Sequence, residues 1–354
     1  VVGLSLGAVL AGGCFKPVDD LPALDFSEMP YVHPLIESDQ AVLRSYELAD
    51  LSCPDGEPAR IYAAYDPSFT GAVPAVMMLH SGAFDYIIEP DELDPLGGVH
   101  YRAESRLERS WALSKVWETV GMNPRAVDPV EQSEGALPAT LVNRGAVVVL
   151  PANCWGDLWH GDQETALGED FERAGLTLAR LTHDALRDGA VAGTIGLEIP
   201  VQIDSDSIHL VGLGSGARGI AELALDPAGG VATAASVVVD SPPDLLSAYQ
   251  LDAITFEDEL AGFATIYGED ALETIDELSL ARAMVDGLTP PATAVIWSDL
   301  DVGIPIDAAR TTAAQTAAPG FSLNTGAEGT IFTNSDEELA AQVVDWMVDG
   351  TPVP

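Results

Sequence analysis

Ile208-His209-Leu210-Val211-Gly212-Leu213-Gly214-Ser215-Gly216-Ala217-Arg218-Gly219 runs on into Ile220-Ala221-Glu222-Leu223-Ala224-Leu225. A short apolar run, a glycine-dense corner and an alanine–leucine run predict strand, sharp turn and helix. In an α/β protein such a corner stands at the carboxyl end of a strand, where ligands and catalytic groups collect. Two chemistries use the shape. One presents a serine on a strained turn as a nucleophile. The other lets a dinucleotide pyrophosphate approach the N-terminus of the following helix.

Outward from the corner, the chain alternates apolar runs with helical patterns. Ala41 to Ala49 and Ala59 to Tyr65 read as two strands, and Cys53-Pro54-Asp55-Gly56 between them signals a hairpin turn. Ala75 to Leu79, Gly145 to Pro151, Ala235 to Asp240 and Ala294 to Trp297 are runs of the buried-strand type. Glu169 to Arg187 and Asp336 to Met347 carry helical periodicity, as does Asp307 to Thr316. The alternation predicts an α/β fold with a mostly parallel central sheet and helices on both faces. Two segments are long for connections and are expected as cap insertions, 85–138, with a helical stretch over Tyr101 to Val120, and 245–288. The acids at 85–94 lack the alternate-position ligands and glycine of a calcium loop, so they are expected as a solvated face, and no metal is expected.

The 354 residues hold 56 acidic and 15 basic side chains, a net charge of −41. Lys16 and Lys115 are the two lysines. So negative a surface disfavours nucleic acid and anionic membranes as partners. It suits a saline surrounding that screens self-repulsion.

Val1 to Gly13 is small, apolar and uncharged, and Leu10-Ala11-Gly12-Gly13 leads into Cys14. The stretch is too short to span a bilayer as a helix. It resembles the end of a bacterial lipoprotein signal, which implies a lipid on Cys14, export to the cell envelope and a membrane anchor, with 1–14 as signal and lipobox. Ala11 stands where that pattern usually has an aliphatic residue. Residues 15–40, with four prolines among acids, read as a tether, and 41–354 as the folded domain. With Cys14 lipidated, Cys53 and Cys154 are a candidate pair in an oxidising compartment, or two unrelated thiols in a reducing one.

Over residues 41 to 350 the sequence resembles the α/β-hydrolase superfamily, in particular its dienelactone-hydrolase and prolyl-oligopeptidase-like branch. His80-Ser81-Gly82-Ala83-Phe84 is similar to the His-Gly segment after the third strand, which implies oxyanion-hole amides around Gly82 and Ala83, with Ser215 as the other donor. Val149 to Asn153 is similar to the fourth strand and its proline turn, and Gly212 to Gly219 lies where the nucleophile corner belongs. Trp297-Ser298-Asp299-Leu300-Asp301-Val302-Gly303-Ile304-Pro305 puts Asp301 at the acid position. The resemblance also implies that the antiparallel second strand starts beside the carboxyl end of the fourth. That arrangement would bring Cys53 near Cys154.

The catalyst itself departs from the pattern. With Gly212 and Gly216 at the small positions of G-x-S-x-G, Gly214 stands in place of the serine. Moving the register by one makes Ser215 the nucleophile but puts Leu213 at a position that wants a small residue. The histidines are 33, 80, 100, 160, 183 and 209, so none follows the corner, where the resemblance implies the base. Glu328 occupies that region, and a carboxylate with a pKa near about 4.3 is a poor base for a hydroxyl.

The preferred expectation is thus an exported lipoprotein with a degenerate triad, no cofactor, and a binding or surface role through a capped pocket for a small molecule or protein. A second expectation is an active ester or peptide hydrolase using Ser215, Asp301 and either His160 or His80. A third is a cofactor-binding oxidoreductase, because Gly212 to Ala217 and Gly214 to Gly219 both fit G-x-G-x-x-G/A, with Asp240 as ribose acid. Its location deep in the chain, the export reading and the negative charge argue against that one.

The charge makes a separate prediction. Raising NaCl from about 0.1 M to about 1 M shortens the Debye length from about 10 Å to about 3 Å. The thermal unfolding midpoint should rise over that range, and an unchanged or falling midpoint would show that self-repulsion does not limit stability.

Overall fold

In the computed structural model the described residues are 27–52, 58–79, 87–93, 99–102, 136–152, 170–188, 199–213, 235–239, 292–298, 320–323 and 337–350, with single positions 220, 223, 272, 273 and 276. The strands are β1 (Glu28–Pro30), β2 (Val42–Ser52), β3 (Pro58–Tyr65), β4 (Ala72–Leu79), β5 (Ile87–Leu93) and β6 (Val99–Arg102). They continue as β7 (Val147–Ala152), β8 (Gln202–Leu213), β9 (Ala235–Val239), β10 (Ala292–Ser298) and β11 (Gly320–Leu323). The helices are α1 (Ala136–Asn143), α2 (Asp170–Arg187) and α3 (Glu337–Met347).

Nine strands form one sheet in the order β1-β2-β3-β7-β4-β8-β9-β10-β11. From β7 to β11 every neighbour is parallel, and β1, β2 and β3 join antiparallel on the β7 side. The sheet is therefore mixed, with its parallel half where the apolar runs predict it. Val147–Ala152 is buried at every position, and β4 is buried from Ala75 to Leu79. Such strands have no solvent face, which is why they read as continuous apolar runs rather than alternating ones.

Both faces are covered. One packs Val76, Met78, Val148, Leu150 and Val211 against Leu141 and Val142 of α1 and Val343 and Val344 of α3. The other packs Ala75, Val147, Val149 and Ile208 against Leu178, Ala185 and Leu186 of α2. Burying each Val or Leu stabilises the fold by about 1.5–3 kcal/mol. On the first face Arg144, just past α1, binds Asp345 of α3 at 2.6 Å and Asp349 at 3.4 Å. These exposed pairs contribute no more than about 1 kcal/mol each.

Four features differ from the sequence reading or extend it. Residues 28–40, read as tether, fold onto the domain: β1 pairs with β2, and Tyr31 and His33 are buried. Asn143 holds this segment, donating to the Leu35 carbonyl at 2.6 Å and accepting from the Glu37 amide at 3.1 Å. Within 85–138, β5 and β6 make a two-stranded antiparallel ribbon, so Tyr101 and Arg102 are strand where a helix was expected to begin. Within 245–288, positions 272, 273 and 276 are helical. Helix α1 takes in 136–138, read from sequence as the end of the cap insertion, and packs on the sheet instead; Pro138 stands in its first turn, where no amide is needed.

That helix ends in a Schellman turn. The Gly145 amide donates to the Val142 carbonyl at 2.9 Å and the Ala146 amide to the Leu141 carbonyl at 2.9 Å. Gly145 has φ +83°, and a Cβ there would lie 2.7 Å from the Phe69 ring. Gly145→Ala should lose about 1–2 kcal/mol for the left-handed backbone alone, and more for displacing Phe69. Urea unfolding of Gly145→Ala with and without Phe69→Ala separates the two: the ring contribution should vanish in the double variant and the backbone contribution remain.

Candidate functional site

The parallel half of the sheet brings its carboxyl ends to one edge. Leu79 of β4 pairs with Gly212 of β8, Gly212 with Val238 of β9, and Val238 with Val295 of β10. On the other side of β4, Met77 pairs with Val149 of β7. The chain thus leaves β8 at Leu213 between the ends of β4 and β9, each about 4.8 Å away, with β10 one strand further.

The sequence candidates follow these ends. His80 comes directly after β4, Gly214 and Ser215 after β8, and Asp240 after β9. Asp301 is three residues beyond the end of β10, and Cys154 two residues beyond β7. His80, Gly82, Ala83, Cys154, His160, Gly214, Ser215, Asp301 and Glu328 themselves lie outside the described residues, as do Cys14 and Cys53. What is on view is the frame: strand ends aligned so that the segments carrying His80, Gly214, Ser215 and Asp301 start from neighbouring strands. Three extended residues reach about 10 Å, enough for the chain after β10 to cross to β8.

Half of the histidines are placed elsewhere. His33 is buried beside β1, and its Nδ1 accepts from the Leu35 amide at 3.1 Å. His183 is buried on α2, on the far side from that edge. His209 is buried within β8, opposite Val76 and three pairs short of the aligned end. An imidazole inside the apolar run Ile208 to Val211 reads as a core residue with its hydrogen bonds made, and the structure agrees on the core. Its Nε2 lies 3.0 Å from Ser207 Oγ, while Nδ1 is buried with no partner among the described residues. Burial pushes its pKa down to about 4 against the opposing pull of Asp204. The Ser207 contact was within reach of sequence reasoning, since residues two apart share a strand face.

β8 is also longer than its apolar run. It begins at Gln202 and includes Asp204-Ser205-Asp206, where the pairing with β4 shifts between Val73 and Ala75. The Asp206 amide donates to Asp204 Oδ1 at 3.0 Å, turning the backbone locally. Among the described residues no three His, Cys, Asp or Glu side chains form a metal-binding group. No described helix is long and apolar enough to cross a membrane.

No protein-family model matches the chain, and no curated protein sequence matches it. Solved structures do. A hyperthermophilic esterase of the archaeon Pyrobaculum calidifontis superposes with a TM-score of 0.51 and 15% identity, over 90% of this chain and 85% of the other. Esterase B of Lactobacillus rhamnosis, solved with a tributyrin phosphonate, gives a TM-score of 0.53 and 10% identity, over 89% and 87%. At such identities the likeness concerns the fold. With the strand order, the covered faces and the aligned carboxyl edge, it shows that this chain has the α/β-hydrolase fold.

Proposed function

We propose that this is a non-catalytic α/β-hydrolase-fold protein, exported and lipid-anchored through Cys14, that binds a small molecule or protein ligand at the carboxyl edge of its sheet. One observation carries the reading: β8 ends at Leu213 between β4 and β9, and the residue that follows it in sequence is Gly214 rather than a serine. A glycine has no side-chain oxygen to attack an acyl carbon. The base is missing in the same way. No histidine follows residue 209, and His33, His183 and His209 are buried away from this edge. The caps expected over 85–138 and 245–288 would cover the pocket, and the β5–β6 ribbon belongs to the first of them.

A fluorophosphonate probe on the purified protein tests this against the active-hydrolase reading. No covalent labelling is expected. Labelling at Ser215 that disappears in Ser215→Ala would replace it with a working site in which Asp301 orients His160 or His80.

The envelope location and a Cys53–Cys154 bridge belong to the same proposal. β3 pairs with Ser52 on one side through Pro58 and with Ala152 on the other through Arg60. The chains leaving β2 and β7 therefore flank the start of one strand. Such a bridge typically adds about 2–4 kcal/mol. Peptide mapping without reduction, on protein exported in a bacterial host, should find a diacylglycerol on Cys14 and a cross-linked Cys53–Cys154 peptide. Free thiols at both and an unmodified Cys14 would place the chain in another compartment.

A further inference from the structure

Strand β8 is an unusual place for a titratable side chain. It lies near the middle of the sheet, between β4 and β9, and leads directly into the glycine corner. His209 points to the face that α1 and α3 cover, since Val76 opposite it and Val211 two residues on both pack there. One imidazole nitrogen meets Ser207 Oγ at 3.0 Å, and the other is buried with no partner among the described residues. A neutral imidazole tolerates this, because it carries one N–H and one lone pair. An imidazolium carries two N–H groups and a charge, and among the described residues it would gain no acceptor for the second.

The charged surroundings are sparse. β4, β9 and α1 contribute no ionisable residue. On α3 the acids are Glu337, Glu338 and Asp345; Glu338 is exposed and Asp345 is held by Arg144. On β8 itself the acids are Asp204 and Asp206, and Asp204 is the carboxylate that acts on His209.

We propose that the Ser207–His209 pair is an acid-operated latch on β8: a proton taken from solvent converts His209 to an imidazolium, and the pairing of β8 with β4 and β9 loosens. Only a proton is gained and no other bond changes. The sign follows from burial, which lowers the imidazole pKa from 6.5 to about 4 in the closed state. The open state binds more protons between those values, so closure is fully stable above about pH 6.5 and is lost as pH falls toward 4. The latch is independent of whether the edge is catalytic.

Urea unfolding midpoints at about pH 7 and about pH 4.5, for the wild type and His209→Gln, measure it. Hydrogen exchange of the 202–213 peptide, scaled for intrinsic rates, localises it. The glutamine keeps a polar contact to Ser207 but does not titrate. The wild-type midpoint should fall further on acidification than that of the variant. The 202–213 peptide should lose protection before the 292–298 peptide. Equal falls in both proteins, or protection of 202–213 retained at the lower pH, would overturn the latch. If His209→Gln does not fold, Asp204→Asn decides. Removing that carboxylate takes away the attraction that helps the closed strand hold an imidazolium, so the acid transition should move to higher pH, and an unmoved transition would overturn the proposal.

Discussion

The parallel pairing of β4 with β8, inside a sheet buried on both faces, is the constraint from which the rest follows. Parallel neighbours cannot be joined by a tight turn, so the chain must cross over a face between them and cover it. α1, between β4 and β7, does this on one side and α2, between β7 and β8, on the other, and α3, which follows β11, adds to the cover of the first face. Because the strands run the same way, their carboxyl ends share an edge, and segments distant in sequence start from it side by side. Gly212 reaches the level of Leu79, Val238 and Val295 through backbone pairing alone.

That edge is where a hydrolase of this fold would assemble its catalyst, and the buried sheet holds independently of the residues that follow it. The sheet depends on Val76, Met78, Val148 and Val211 being buried, not on the residue that follows Leu213. A serine can be replaced by glycine there at no cost to the pairing of β8. The frame therefore does not depend on what chemistry the segment after Leu213 carries. Fold and activity are separable for this reason.

The β1–β2–β3 side of the sheet obeys another logic. β2 mixes the buried Leu43 and Tyr46 with partly exposed Val42, Arg44 and Ser45, β3 is buried from Ile61 to Tyr65, and Arg60 pairs with the exposed Glu47 at 2.7 Å. Asn143 ties the 33–37 segment to α1. Asp66, just past β3, accepts from the Ser68 amide at 2.8 Å, and this bond and that of Ser38 hold its carboxyl below the usual range against the effect of burial. These bonds position the antiparallel strands beside β7, far from the aligned carboxyl ends of β8 to β10.

The sequence by itself determined the elements whose burial is two-sided or strictly periodic. β4, β7, the apolar half of β8, β9, β10, α2 and α3 were legible because each must fill its environment with apolar side chains at a fixed period. It also determined that no histidine follows position 209 and that glycine stands at 214, since both are properties of composition and order. Tertiary structure decided what depends on partners far along the chain. Residues 28–40 join the fold because β2 offers a free edge and Asn143 bonds their backbone, although their prolines resemble a tether. α1 holds because α3 and the sheet bury its apolar residues, although it is only eight residues long. The hydrogen bonding of His209 was decided the same way: a strand pattern places the imidazole in the core, and only the packed neighbours determine that one nitrogen finds Ser207 while the other is buried with no partner among the described residues.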